Sequence, residues 1–336
     1  MPGEIFIDWV TLAQHHPKGG LPILCRGVHS WADAQGITRL ERISAASVGG
    51  SFGTAVLVGC DGAQVLLSGN VGRLSRPDNL FNLDWPATLA ASNRVLLGIG
   101  LPPFTPADPV PPQGDYARRA WGARLLRVDI TCNFSAGSDP QAREVIRWIA
   151  GQSMKRVRRG QAGDSSVWWA NTRRMFKAYR KGEELMAHGL PKDADAVRWC
   201  NELGIVRVEV ELKRRRLQEL DMTDPFLVTQ ERVEEVFREE TEILRRVDRS
   251  DEPDILNALP ARSRAYAAAW LAGRDLAQLV SRSTLFRHAK VCREHGLDIL
   301  TPRNVASFPV SVRVVELKAA PVPEWYSLKS QQEQGK

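Results

Sequence analysis

Over the first 120 residues, apolar positions alternate with polar ones or gather in short blocks divided by turn residues. EIFIDWVTL, LPILCRGV, TRLERISAASV, SFGTAVLVGCDG and AQVLLSGNV read as strands on that pattern. Asp61 and Gly62, between two apolar runs, predict a hairpin turn. The spacing becomes helical over 86–98, and the proline-rich LPPFTPADPVPPQG (101–114) predicts a linker. ARLLRVDITCNF (123–134) is expected as a strand. DPQAREVIRWIAGQSM (139–154) is expected as a helix, with Asp139 as N-cap, Pro140 at N1, and Val145, Ile146, Trp148 and Ile149 on its apolar side. SSVWWANT and RRMFKAYRK read as paired strands, GEELMAHG as the start of a helix and LGIVRVEVELKRRRL (203–217) as a further strand. Helices dominate 225–296, and FPVSVRVVELK closes with a strand. The fold expected is α+β: largely antiparallel sheets with helices on one face, plus a C-terminal helical, helix-turn-helix-like region. Three segments follow: a β-rich 1–119 ending in the linker, a chemistry-bearing 120–222, and a helical 223–336 with the final strand.

On a strand, side chains two apart share a face. Arg127, Asp129 and Thr131 therefore oppose Val128 and Ile130. Arg207, Glu209 and Glu211 oppose Val206, Val208, Val210 and Leu212. Lys177, Tyr179 and Lys181 oppose Phe176 and Ala178. Three strands thus present charge from a sheet whose reverse side is apolar, and Glu184 follows within a helical turn. Asp129, Glu184 and Glu209, brought together, would make an all-oxygen pocket suited to Mg²⁺ or Mn²⁺. Such an ion polarises a phosphodiester, which Tyr179 is placed to attack, leaving the product attached to the protein. A free phenol titrates near 10, so the surrounding cations and the metal are expected to favour the phenolate. The same spacing also suits plain Arg–Asp and Arg–Glu bridges on a wet sheet face.

Lys and Arg outnumber Asp and Glu by 46 to 39, giving a net charge of +7, and the excess is clumped in MKRVRRG (154–160), RRMFKAYRK (173–181) and KRRR (213–216). Three such runs favour a polyanionic partner, with phosphate contacts from Arg127, Arg173, Arg174, Lys177, Arg207 and Lys213. The five cysteines are widely spaced without a CxxC pair, which excludes a disulfide framework and a zinc site. No signal peptide precedes the first strand, and no apolar run nears the roughly 20 residues that span a bilayer. A cytoplasmic protein without a membrane partner is expected. QHHPKGG sets His15 and His16 side by side, facing opposite ways on a strand, so no histidine-based metal motif is present. In 264–299 a helix to about Leu271, a turn at Gly273, a short helix and a third helix capped by Ser283 have helix-turn-helix cadence. Thr284, Arg287, His288 and Lys290 are expected outward, able to contact DNA, with Leu285, Phe286 and Val291 available for packing. An ordinary three-helix packing unit accounts for the same cadence.

The order LRVDITCNF, SSVWWANTRRMFKAYRKGEEL, IVRVEVELKRRRL resembles the gene II (phage CRI) replication initiators of filamentous phages. It is more distantly similar to rolling-circle plasmid initiators of the Rep_trans type. The matching positions are Arg127 and Asp129; Tyr179, Lys181, Glu184 and Leu185; and Arg207, Glu209 and Lys213. GTAVLVGCDGAQVLLSGN and SVRVVELKAAPVPEWY extend the likeness to both ends. The resemblance implies an enzyme that nicks one strand of double-stranded origin DNA through Tyr179, frees a 3′ hydroxyl for the host polymerase, and later closes the displaced single strand. It implies Asp129, Glu209 and Glu184 as ligands of Mg²⁺ or Mn²⁺, and Lys181 as the residue steadying phenolate or phosphate. A host helicase as partner, action in the host bacterial cytoplasm and a homodimer belong to the same expectation. The alternatives are a metal-dependent nuclease with no covalent step and a helix-turn-helix regulator without catalysis.

Overall fold

The computed structural model describes residues 5–107, 122–151, 158–242, 256, 259–300 and 318–326, apart from positions 36, 273, 296 and 298. In chain order the strands are β1 (Ile5–His15), β2 (Gly27–Ala32), β3 (Thr38–Ser44), β4 (Ala46–Gly49), β5 (Ala55–Cys60), β6 (Gln64–Gly69), β7 (Gly122–Ser135), β8 (Arg158–Ala162), β9 (Ser166–Ala170), β10 (Arg174–Arg180), β11 (Ile205–Lys213) and β12 (Lys318–Ala319). One antiparallel sheet runs β4-β5-β6-β1-β7-β11-β10-β9-β8, with β12 on β7 where the described pairing of β1 ends, and β2 and β3 form a separate ribbon. The strands of segment 1–119 are therefore continuous with those of 120–222, since β1 pairs along β7.

The two periodicities of the sequence build the layers. Val10, Leu12, Val128, Ile130, Phe176, Ala178, Val208 and Val210 are buried on one face of the sheet. Helices α1 (Trp85–Gly98), α2 (Asp139–Gly151) and α6 (Gln230–Glu240) pack onto that face through Trp85, Leu96, Ile146, Ile149, Val233 and Phe237. Burying a valine or leucine of this kind contributes about 1.5–3 kcal/mol. Two short helices, α3 (Lys181–Ala187) and α4 (Asp195–Glu202), cover one end of the opposite face over a second cluster with Phe6, Leu80, Phe81 and Ile205. Gly182 permits their approach, because a Cβ there would lie 2.1 Å from Asn201 Oδ1. Helix α5 (Arg214–Glu219) follows β11 directly. Helices α7 (Ala261–Leu271), α8 (Leu276–Leu279) and α9 (Arg282–Glu294) share a core of Ala267, Trp270, Leu276, Leu285, Ala289 and Cys292.

Several local expectations change. Asp61 does make the β5–β6 turn, its Oδ1 accepting from Ala63 and Gln64 N–H at 3.0 and 2.7 Å. Asp139 does not cap α2; Ser138 Oγ accepts from Gln141 N–H, and the Asp139 carboxylate pairs with Arg143 and Arg180. The first half of the proline-rich stretch is no free linker, because Leu101 and Phe104 are buried in the main core and Phe104 N–H donates to Asn93; the rest lies outside the described residues. So does most of the closing strand, of which Lys318 and Ala319 are seen. Of the described helices, none is long and apolar enough to cross a membrane.

Candidate active site

The register of the sheet decides which polar side chains meet. On the face away from the main core, Tyr179 stands opposite Arg207, which stands opposite Asn133. In the next row are Lys177, Glu209 and Thr131; in the next, Met175, Glu211, Asp129 and Trp9. Between Ile7↔Ile130 and Trp9↔Asp129 the pairing of β1 slips by one residue, and Asp8 is the extra one. A bulge of this kind re-aims a side chain. The Asp8 carboxylate is held by the amides of Asn70 (2.8 Å), Asn79 (3.0 Å) and Asn82 (3.4 Å), and its Oδ2 lies 3.9 Å from Arg207 Nη1.

Tyr179 is 4% exposed, and its Oη donates a hydrogen bond to Glu209 Oε1. Lys177 Nζ lies 4.2 Å from the ring centroid and 3.9 Å from Glu209 Oε2. Arg207 is fully buried; its Nε donates to Asn133 Oδ1 at 2.9 Å and its Nη2 to Asn79 O at 2.7 Å, while Nη1 has no hydrogen-bond partner among the described residues. Lys181 is fully buried as well, donating to Asn79 Oδ1 at 2.8 Å and to Glu184 Oε2, and it lies 6.0 Å from the tyrosine ring. Lys177 is therefore the nearer lysine to the phenol. Burial raises the Tyr179 pKa well above its ordinary value, and the Glu209 charge pushes the same way against Arg207. In the free protein desolvation therefore works against the phenolate that the neighbouring cations favour. Burial, then the Asp8 charge, raises Glu209, so this carboxylate is a stronger base than usual and already accepts the phenol's hydrogen bond.

The carboxylates named from sequence do not meet as one group. Among the described residues no three metal-capable side chains form a cluster. Asp129 stands in the row beyond Glu209, a diagonal separation of roughly 7–8 Å. Arg127 grips it at 2.8 and 2.7 Å, also pairs with Glu211 at 3.1 Å, and stacks on Trp9. Burial, with Glu211 and Glu209 nearby, pushes Asp129 up to about 7. Glu184 is engaged by Lys181 and lies 3.5 Å from His188. Lys213 pairs with Glu211 at 3.2 Å, Arg173 with Glu219 at 2.7 Å, and Arg174 with Glu240, which Arg216 also holds. The plain ion-pair reading therefore describes these flanking rows, whereas the row of Tyr179 and that of Glu209 hold a phenol, a raised carboxylate and a buried guanidinium.

Residues 113–236 match the family described as replication-associated protein G2P, N-terminal, and residues 254–332 match replication-associated protein G2P, C-terminal. The chain is 28% identical to the replication-associated protein G2P of Enterobacteria phage I2-2, over 95% of this chain and 96% of that protein. It is 27% identical to the G2P of Escherichia phage If1, over 81% of this chain and 97% of that one. The chain belongs to this family of filamentous-phage replication proteins. Among solved structures it is similar to a rolling-circle replication initiator protein from Geobacillus stearothermophilus, at 10% identity, covering 64% of this chain and 76% of that one. The TM-score is 0.28, below the level at which a shared fold follows.

Sequence reasoning missed Asp8 and the three asparagines around it. A signal was present: a lone aspartate inside the apolar strand EIFIDWV is disfavoured there without a local reason. In the C-terminal unit, Ser281 rather than Ser283 caps α9, its Oγ accepting from Thr284 N–H. Arg287 and Lys290 are exposed as expected, beside Arg282. His288 is half-buried, its Nδ1 3.0 Å from Ser263 Oγ and its ring tilted against Tyr266 at 4.4 Å. Phe286, expected to pack, is 48% exposed under the Arg282 guanidinium.

Proposed function

We propose that this G2P-family chain is a rolling-circle replication initiator, which nicks and rejoins one strand at its phage origin through a covalent link to Tyr179. The observation that carries the reading is the hydrogen bond from Tyr179 Oη to a raised Glu209 carboxylate, on a sheet face lined by Lys177 and Arg207. Tyr179 attacks the phosphorus as Glu209 takes its proton. The P–O3′ bond breaks, the departing 3′ oxygen takes a proton from water, and the 5′ phosphate remains esterified to the phenol. Run backwards, a 3′ hydroxyl gives its proton to water and displaces Tyr179, which regains the proton from Glu209, so rejoining needs no nucleotide. Arg207, paired with Tyr179 across the sheet, keeps an Nη1 without a hydrogen-bond partner among the described residues, which suits a developing phosphate charge.

The cofactor in this reading is Mg²⁺ or Mn²⁺. Asp8 would hold it, in place of the dispersed trio Asp129, Glu184 and Glu209, with Glu209 left as the base; one carboxylate completed by phosphate oxygens and water suits Mg²⁺. When bound it supplies charge neutralisation at the phosphate. Lys177, Lys213 and Arg173, partly exposed at the rim of this face, are the backbone-phosphate contacts, and Arg287 and Lys290 on α9 add contacts to duplex DNA. The free 3′ end is left for the host polymerase, with a helicase opening the duplex, in the host cytoplasm.

The test is supercoiled origin DNA incubated with the protein and Mg²⁺, followed by a search for a protease-sensitive covalent adduct. Nicked DNA with free 5′ phosphate and no attached protein would instead indicate a hydrolytic nuclease. Binding untouched by EDTA, with no nicking, would indicate a regulator.

A further inference from the structure

The chain's last described residues reach back to the loop that frames Tyr179. Lys318 and Ala319 pair with Ser135 and Phe134 of β7, and Ala320 N–H donates to Asn133 O at 2.8 Å. Asn133 is the residue whose side chain holds Arg207 Nε. Six residues on, Tyr326 stacks edge-on against Phe81 at 5.4 Å, and its hydroxyl is saturated by the loop around residue 80. It donates to Asp78 Oδ1 at 2.7 Å and accepts from Phe81 N–H and Arg76 Nη1, each at 3.2 Å.

That loop supplies much of the frame of the candidate site. Asn79 gives its amide to Asp8 and its carbonyl oxygens to Lys181 and Arg207, while Asn82 donates to Asp8 as well. Arg76 ties the same loop to itself through Phe81 O (2.7 Å) and Asn82 Oδ1 (2.8 Å). A hydroxyl that fixes Asp78 and Phe81 therefore brackets Asn79, which holds Asp8, Lys181 and Arg207, and stands next to Asn82. Loops position function when a rigid support locks them, and here one contact of that support comes from a residue some 250 positions away in sequence.

We infer that Tyr326 is a positioning residue for the nicking reaction, acting as a latch by which the C-terminal segment holds the 78–82 loop, and through it Asp8, Lys181 and Arg207, in the reactive arrangement. This rests on the Tyr179 reading above. The latch acts on the chemical step and leaves DNA binding alone, because neither Tyr326 nor Asp78 lies among the cations assigned to DNA.

The experiment compares full-length wild type with Tyr326→Phe, which keeps the ring and removes the hydroxyl, and with Asp78→Asn, which alters the same hydrogen bond from the loop side. Single-turnover adduct formation at saturating origin DNA is measured beside origin affinity, thermal midpoint, and amide hydrogen exchange at Phe81. The latch predicts an adduct rate at least tenfold slower in both variants, affinity within twofold of wild type, and faster exchange at Phe81. An adduct rate within twofold of wild type overturns it. So does a rate loss matched by equal loss of affinity and a collapsed thermal midpoint, which marks a role in folding only. If the wild type forms no adduct, the Tyr179 chemistry itself has failed, and the latch with it.

Discussion

Glu209→Gln isolates the proton-transfer role of the carboxylate that receives the Tyr179 hydrogen bond. Glutamine keeps the length and an acceptor oxygen for the phenol, and its new amide faces Lys177 Nζ, 3.9 Å from the oxygen it replaces. Lys177 is partly exposed, so this contact costs no more than about 1 kcal/mol, and the variant is expected to fold. What it loses is the base. A positioned base contributes about 100- to 10,000-fold, or about 3–5 kcal/mol of barrier, and the single-turnover adduct rate at pH 7 should fall by that factor. The variant also loses the charge that helps to raise the Tyr179 pKa, so its phenol should ionise more readily than that of the wild type. Its rate should therefore climb with pH and approach the wild-type rate in alkaline buffer. The assay is a denaturing gel of labelled origin DNA attached to protein, taken over time at each pH. An unchanged rate at pH 7 would refute the assignment of the base, and a deficit equal at every pH would show that Glu209 does not act through the proton.

Arg207→Met removes the buried guanidinium that holds Asn133, Asn79 O and Leu80 O and leaves Asp8 without its cation; urea unfolding should show a loss of about 3–5 kcal/mol, and a loss below about 1 kcal/mol would contradict the described network. Asp129 gives a pH signature: its carboxyl releases its proton near 4 when unfolded and near 7 when folded. Between those values the native state holds more protons, so stability falls as pH rises from about 4 to about 7; thermal melts of Asp129→Asn should show a flatter slope, and an unchanged slope counts against the raised carboxyl. Arg287→Ala combined with Lys290→Ala should weaken origin binding and reduce its salt slope by about one for each phosphate contact removed, while the adduct rate at saturating DNA stays as in wild type. Equal salt slopes would remove α9 from the DNA surface.

The faces of β7, β10 and β11 were legible because a period of two sorts Val206, Val208 and Val210 from Arg207 and Glu209 without knowledge of neighbours. Register was not. Alternation fixes which side a residue faces but not which row it joins, so Asp129 was grouped with Glu209 although it stands opposite Glu211. The bulge that places Asp8 leaves no mark on the pattern beyond an acidic residue in a greasy strand. Two of the three asparagines that hold it, Asn79 and Asn82, come from a loop that touches Tyr326, far along the chain. Helical phase explains Phe286: the core stripe of α9 runs through Leu285, Ala289 and Cys292, which turns Phe286 outward. Counting neighbouring cations also omits desolvation, which at a residue this buried works against the phenolate.

The most direct measurement is mass spectrometry of the protein–DNA complex trapped on origin DNA, after protease and nuclease digestion. A nucleotide joined through its 5′ phosphate to the peptide containing Tyr179, and absent from Tyr179→Phe, is the predicted result. A nucleotide on Tyr116, Tyr266 or Tyr326, or undiminished nicking by Tyr179→Phe, would contradict the account.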